Sequence, residues 1–437
     1  MTTVRSTPEE QAAHQAVARA WRLEAGKITA VVARMTRDVG VAEELAQDAL
    51  VAALEHWPRE GIPDNPAAWL TATAKRRALD HLRHQSMAQV KHTELGLDLE
   101  AAQAHVVPDI VQALMQAEDD PIGDDLLRLV FSACHPVLPR DAQLALTLKL
   151  LGGLSTADIA RAFLVPEATI AQRIVRAKRL LASAGVRFDL PPAAELGQRL
   201  AAVLEVVYLI FNEGYAATAG DDWLRPALCG EALRLSRMLA LLAPAHSEVH
   251  GLAALLEIQA SRAAARTDAQ GQPVLLLQQD RSLWDPVLIE HGLASLARAE
   301  RLAGDTGLQP YGLQAAIAAC HARAAQAGDT DWAQICRLYD RLALAQPSPV
   351  VQLNRAVAVG MAQGAAAALP LVQALQSHPQ MARYHLLPSV HADLLARLGR
   401  FAEARVQCLR AAELALNERE KALLLQRAQS WADAAER

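Results

Sequence analysis

The stretch from Leu146 to Leu181, LTLKLLGGLSTADIARAFLVPEATIAQRIVRAKRLL, admits few arrangements. Ser155 followed three residues later by Asp158 can satisfy the free amides of a first helical turn, as in a capping box. Ile159, Ala160 and Phe163 recur behind it at helical spacing. Leu164 to Pro166 then break the pattern, and proline suits a helix start because its φ is fixed and it has no amide to satisfy. Ile170, Ile174, Ala177 and Leu181 form a second apolar stripe, while Ala168, Thr169, Gln172, Arg173, Arg176 and Arg179 share the other side. Two short helices, the second cationic on its free face, form a helix-turn-helix. Short side chains at its start allow close approach to bases, and Gln and Arg can donate to base edges or phosphates. A solvated helical hairpin would also carry arginine, but cap, turn and one-sided charge together favour DNA.

A second basic helix lies upstream. Asp64-Asn65-Pro66 precedes AAWLTATAKRRALDHLRH, in which Leu70, Ala74, Ala78 and Leu82 make an apolar stripe. Trp69, Thr73, Arg76, Asp80 and Arg83 follow another, with Lys75 and Arg77 beside it. An aromatic ring among cations suits a strand being opened, since exposed bases stack on the ring while Lys and Arg hold phosphate. Trp69 fits a core position equally well. Before this helix, VGVAEELAQDALVAALEHW turns Ala46, Leu50, Leu54 and Trp57 one way and Glu44, Gln47, Asp48, Val51 and Glu55 another. Phosphate would repel that acidic face, so it reads either as a protein-docking surface or as a plain solvated face.

In this order, these segments resemble a bacterial sigma factor of the extracytoplasmic-function kind. DVGVAEELAQDALVAAL resembles the core-polymerase-binding part of region 2, NPAAWLTATAKRRALDHLR its promoter-melting part, and residues 126–187 resemble region 4. FSACHP, Phe131 to Pro136, and the long chain beyond resemble the variety whose C-terminus is built of tetratricopeptide-like helices. The resemblance implies an all-α chain in four parts: region 2 over 1–91, an acidic linker over 92–125, region 4 over 126–187, and a helical-repeat extension over 188–437. It implies core polymerase contacts at Glu43, Glu44, Gln47, Asp48, Val51 and Glu55. Single-stranded minus-ten contacts fall to Asn65, Trp69, Thr73, Lys75, Arg76, Arg77 and Arg83. Duplex minus-thirty-five contacts fall to Ala168, Thr169, Gln172, Arg173, Arg176 and Arg179. The implied partners are core RNA polymerase and promoter DNA.

Charge supports the division. The overall balance of −5 hides an even module, a basic one and an acidic strap between them. Residues 1–91 carry twelve Lys or Arg against eleven acids, residues 126–187 nine against three, and residues 92–125 nine acids with no Lys or Arg. With Pro108 and Pro121 and little aromatic content, the strap reads as a linker. By resemblance it would thread the polymerase's RNA-exit path; it reads equally as a plain tether.

Enzyme readings find little support. The five cysteines, at 134, 229, 320, 336 and 408, show neither CxxC nor metal spacing and read as reduced core residues. His246 and His250 are four apart, but Glu248 stands where HExxH does not require it. Cys134 and His135 are adjacent and diverge by about 100° on a helix, which rarely serves one substrate. No phosphate loop or dinucleotide fingerprint is present, so the chain is expected to need neither metal nor cofactor. Only 4% of residues are aromatic, which suits Ala- and Leu-rich helices. The longest apolar run, residues 200–211, is short and broken by Glu205, and the N-terminus lacks a signal-type apolar segment, so a cytoplasmic protein is expected.

Beyond Pro191-Pro192 the chain becomes a run of helices punctuated by glycine. His391 to Leu414 forms two apolar stripes joined at Gly399-Arg400, like part of a tetratricopeptide repeat and its partner helix. Ala303-Gly-Asp, Ala327-Gly-Asp and Val359-Gly-Met read as further helix ends. Ala265 to Asp285 breaks the pattern. The sigma factors with such an extension that this chain resembles tend to carry a comparable aspartate-glycine loop here, which implies Arg266, Asp268, Gly271 and Asp280 as candidates for a regulatory loop, acting in cis or on a protein regulator; a long inter-helix loop is the plain alternative. Phe211 to Thr218 is a polar interruption with no assignable chemistry. The expected function is promoter-directed initiation by a non-enzymatic factor. The alternatives are a polymerase-independent helix-turn-helix regulator with a helical-repeat sensor, and a helical scaffold or Cys134 enzyme.

Overall fold

The computed structural model describes residues 8–94, 122–163, 165–216 and 224–435. Residues 95–121 of the acidic linker, with Pro108 and Pro121, lie outside them, as do Leu164 and residues 217–218. Among the described residues the chain is all-α, with 18 α-helices, short 3-10 turns and one isolated bridge between Thr267 and Pro273. It divides into two compact units, Met1–Val206 and Val207–Arg437.

In the first unit α1 (Pro8–Thr36) is the spine. It packs on α2 (Val39–Glu60), α3 (Pro66–Glu94) and α4 (Ile122–Ala133). Asp38 starts α2 by accepting from the Gly40 and Val41 amides at 2.7 and 3.0 Å. The buried stripe of α2 consists of Ala42, Ala46, Ala49, Ala52, Ala53 and Trp57. Leu54 is exposed and Leu50 only partly buried, so the expected Leu50–Leu54 stripe is corrected. Small side chains let α2 lie close to α1, and the leucines are displaced to its flank.

Helices α5 (Arg140–Leu150), α6 (Thr156–Phe163) and α7 (Glu167–Ser183) follow. Next, α8 (Ala193–Tyr215) contributes its first turns to the same unit. Arg199 there donates to the Phe131 carbonyl at 3.1 Å, and Glu205 pairs with Arg140 at 2.5 Å. The first unit therefore runs to Val206 and takes in residues that the sequence reading assigns to the extension.

The second unit continues through α9 (Pro226–Leu242), α10 (Ser247–Ala260), α11 (Pro286–Ala303), α12 (Pro310–Arg323), α13 (Trp332–Ala345) and α14 (Pro349–Ala362). It ends with α15 (Ala365–Leu375), α16 (Leu386–Arg397), α17 (Phe401–Leu414) and α18 (Glu418–Ala435). From α12 onward each helix packs on the next, as expected of a helical stack. Where α10 crosses α12 a Cβ on Gly251 would lie 2.7 Å from the Gly312 amide nitrogen, so the two backbones meet directly. Glu248 completes that crossing, its two oxygens accepting from the Tyr311 and Gly312 amides at 3.1 Å. The expected hairpin at residues 391–414 forms, turning at Gly399 with φ +75°. Val359-Gly360-Met361 forms the last turn of α14, as expected of a helix end, and Gly360 there sits against Leu394.

Candidate nucleic-acid interface

The helix-turn-helix is built as its residues require. Ser155 Oγ accepts from the Asp158 amide at 3.0 Å, and Asp158 accepts from the Ser155 amide at 3.3 Å and from its hydroxyl at 2.6 Å. Ile159 and Ala160 are buried, and in α7 so are Ile170, Ile174, Ala177 and Leu181. Ala168, Gln172, Arg176 and Arg179 are exposed together on the opposite face, with Thr169 and Arg173 half-buried beside them. Arg173 pairs with Asp141 of α5 at 3.1 Å, which holds its fork in place. Among the described residues Arg176 and Arg179 have no ion-pair partner, and their charges face solvent.

The second basic surface lies on α3. Asn65 caps it, its side-chain oxygen accepting from the Ala68 amide at 3.0 Å, and Pro66 takes the first helical position. Leu70, Ala74 and Ala78 are buried and Leu82 half-buried. Trp69 is half-buried, edge-on to Trp57 with ring centroids 5.7 Å apart and 6.3 Å from His56. The ring is thus anchored on one side and open on the other. Lys75, Arg76 and Arg83 are exposed, and Thr73 and Arg77 are half-buried. Arg83 pairs with Asp80 at 3.2 Å, and Arg77 reaches Asp48 of α2 at 3.5 Å, joining the basic and acidic helices.

On α2 the acidic face divides in two. Glu44, Asp48, Val51 and Glu55 are exposed and Gln47 is half-buried, with exposed Leu54 added to the surface. Glu43 is only 7% exposed. Its carboxylate takes Lys178 of α7 at 2.5 Å and Lys149 of α5 at 3.6 Å, and Lys178 lies 3.6 Å from Glu44. Arg34 of α1 and Arg128 both pair with Asp125, at 3.3 and 2.8 Å. The Glu43 pairs clamp the helix-turn-helix against α2, and the Arg34–Asp125 pair ties α4 to α1. Beside the clamp opens a cleft of about 790 Å³ lined by Arg34, Arg37, Arg128, Lys178 and Arg187. Glu43 and Lys178 are 135 residues apart, so periodicity could not have paired them.

The other candidates are structural. Burial pushes the Cys134 thiol up to about 11, and its sulfur lies 3.4 Å from the Thr147 hydroxyl, which unsuits it as a nucleophile. Gln143 donates to the Cys134 and His135 carbonyls at 3.3 and 3.0 Å, closing the FSACHP turn. Burial, then Arg199, lowers the His135 pKa. His250 Nε2 lies 3.0 Å from the Pro244 carbonyl oxygen. No cluster of three potential metal ligands occurs among the described residues.

In the 265–285 loop Asp268 accepts from the Gln270 and Gln272 amides at 2.9 and 2.8 Å, with Gly271 at φ +73°. Asp280 accepts from the Ser282 amide at 2.9 Å and its hydroxyl at 2.7 Å, which lowers its pKa. Asp268, Gly271 and Asp280 thus shape turns, whereas Arg266 is buried against Tyr215. Arg262, just before the loop, and Arg281, within it, both lie against the Trp284 ring, and the sequence reading names neither.

Residues 20–87 match the family model described as Sigma-70 region 2, and residues 128–181 that described as Sigma-70, region 4. Residues 199–300 match a family of unknown function, DUF6596. An uncharacterized protein of Rhizobium meliloti strain 1021 is 44% identical over 392 residues, 90% of each chain. The ECF RNA polymerase sigma factor SigK of Mycobacterium ulcerans is 29% identical over 157 residues, 35% of this chain and 76% of its own. The ECF RNA polymerase sigma-E factor of Haemophilus influenzae is 31% identical over 113 residues, 26% of this chain and 58% of its own. No solved structure gives a significant match. No described helix is long and apolar enough to cross a membrane.

Proposed function

The chain belongs to the sigma-70 family, as a factor of the extracytoplasmic-function kind with a C-terminal extension, and on that premise we propose how its residues divide the work. Factors of this family bind core RNA polymerase and promoter DNA and leave nucleotidyl transfer to the polymerase. Residues 1–91 act as region 2, 92–125 as the acidic linker, 126–187 as region 4 and 188–437 as the helical extension. Core polymerase docks on the exposed part of α2: Glu44, Gln47, Asp48, Val51 and Glu55, with Leu54 added as an apolar anchor. Glu43 takes the distinct role of clamping region 4 through Lys178 and Lys149.

At the upstream element, Ala168, Thr169, Gln172, Arg176 and Arg179 face the duplex, and Asp141 orients Arg173 for a bidentate base contact. At the downstream element, Trp69 offers the open side of its ring to an unstacked base while Lys75, Arg76, Arg77 and Arg83 hold phosphate. Asn65 positions the start of α3 rather than a base. The observation that carries this reading is the one-sided face of α7, whose exposed cations lie opposite a fully buried stripe. A free-standing regulator would explain that face but not the exposed acids and leucine of α2.

The test is association with purified core polymerase. Glu44→Lys with Asp48→Lys is expected to abolish co-elution while circular dichroism is unchanged. Undiminished co-elution would reject α2 as the docking face.

A further inference from the structure

The cleft of about 790 Å³ in the first unit lies apart from the faces that carry promoter recognition. Its walls come from separate parts of the chain: Arg34 from the end of α1, Arg37 from the turn into α2, Arg128 from α4, Lys178 from α7 and Arg187 from the segment that follows α7. Asp38 and Asp189 are the acids that line it. Along Gly185 to Arg187 it adjoins a second hollow of about 290 Å³, where His135 and Arg199 form part of the wall.

Three of these cations are engaged. Arg34 and Arg128 share the buried carboxylate of Asp125, and Lys178 is held by Glu43. Arg37 and Arg187 are not engaged: both are exposed, and neither guanidinium has an ion-pair or hydrogen-bond partner among the described residues. Of the acids, Asp38 is occupied by the Gly40 and Val41 amides, and Asp189 is exposed. Arg37 is also the one non-glycine residue with positive φ among the described residues, at +56°. Glycine adopts that backbone readily and arginine does not, so an arginine kept there argues for a use of its side chain.

We infer that this cleft binds a small ligand bearing two or more phosphate groups, gripped by the free forks of Arg37 and Arg187. The volume falls within the roughly 300–1,000 Å³ typical of small-molecule sites, so there is room for such a ligand. A guanidinium fork matches phosphate oxygens bidentately, and two free forks on separate walls call for two such groups on one molecule. Leu181, Val186 and Phe188 offer an apolar wall to the rest of it. Asp125, Glu43, Asp38 and Asp189 offset most of the cationic charge, so selection rests on the two forks rather than on bulk attraction. A ligand touching both the α1–α2 turn and the segment after α7 adds a link between the parts that Glu43 and Lys178 already join, and stabilises the first unit as it binds.

The test uses the full-length chain with inorganic pyrophosphate as probe, and monophosphate and citrate as controls at matched ionic strength. Calorimetric titration is expected to give saturable one-to-one pyrophosphate binding with a rise in Tm, and binding of monophosphate and of citrate at least tenfold weaker. Arg187→Gln and Arg37→Gly are each expected to weaken pyrophosphate at least tenfold. Neither threatens the fold, since Arg187 is exposed and glycine suits the backbone at position 37. Arg22→Gln, exposed on α1 away from the cleft walls, is expected to leave the affinity unchanged. Citrate binding as well as pyrophosphate, affinity unchanged in Arg187→Gln or Arg37→Gly, or an equal loss in Arg22→Gln overturns the inference. The readout does not depend on transcription.

Discussion

Replacing Lys178 by Met removes the nearer cation from a carboxylate that cannot reach bulk water. The side chains of Lys178 and Glu43 are 16% and 9% exposed and meet at 2.5 Å. Breaking a buried pair from one side costs about 3–5 kcal/mol. Lys149 remains 3.6 Å from the same carboxylate and retains part of that energy, so the expected loss is about 2 kcal/mol. For a domain of roughly 150–250 residues each kcal/mol moves Tm by about 2–4 °C, which gives a fall of about 4–8 °C. Thermal unfolding of the full chain measures it, and hydrogen exchange locates the weakening in α2 and α7. Glu43→Gln in the Lys178→Met background should be nearly free of further cost, leaving a coupling of about 1–2 kcal/mol in the double-mutant cycle. Arg179→Met, one residue along and exposed, is the control and is expected to change stability by less than about 0.5 kcal/mol. If Lys178→Met behaves like that control, or the cycle is additive, Glu43 does not clamp the helix-turn-helix.

Three other outcomes follow from the same structure. Trp69→Ala with Arg76→Ala is expected to reduce permanganate-detected strand opening more than closed-complex formation; equal loss in both assays would mark Trp69 as packing alone. Ending the chain at Pro191 removes the Arg199 and Glu205 contacts to the first unit, so that fragment is expected to unfold at lower temperature than one ending at Ala216, as differential scanning calorimetry would report. Burial, with Arg262 and Arg281, lowers His321 to about 4. An unfolded histidine titrates near about 6.5, so the unfolded state takes the proton first and this stability is lost as pH falls from about 6.5 through 4. His321→Gln should flatten that acid limb in urea midpoints measured across the range.

What could be read from sequence was local. The Ser155–Asp158 cap, the Ile170–Leu181 stripe and the hairpin at Gly399 each depend on residues within a few turns of one another, and all three formed. The α2 stripe was misplaced because hydrophobicity favours leucine, whereas close helix crossing favours the alanines at 42, 46, 49 and 53. Val359-Gly-Met does mark the last turn of α14, but that Gly360 also admits Leu394 depends on a helix far along the chain. Glu43 looked like one more acid of a docking face because Lys149 and Lys178 join it only through the tertiary fold. Arg262 and Arg281 were missed for the same reason, since Trp284 and His321 bring them together from separate elements.

The most direct test of the central claim is run-off transcription with purified core polymerase on promoters selected by the chain itself. Initiation at a defined start site is expected only when the chain is present. Loss of that product with Glu44→Lys and Asp48→Lys is expected too, as is a fall in promoter discrimination of about 1–3 kcal/mol when Arg173, held by Asp141, becomes Ala. Specific binding to DNA without polymerase, with no start-site-specific transcript in its presence, would contradict the account and leave a polymerase-independent regulator in its place.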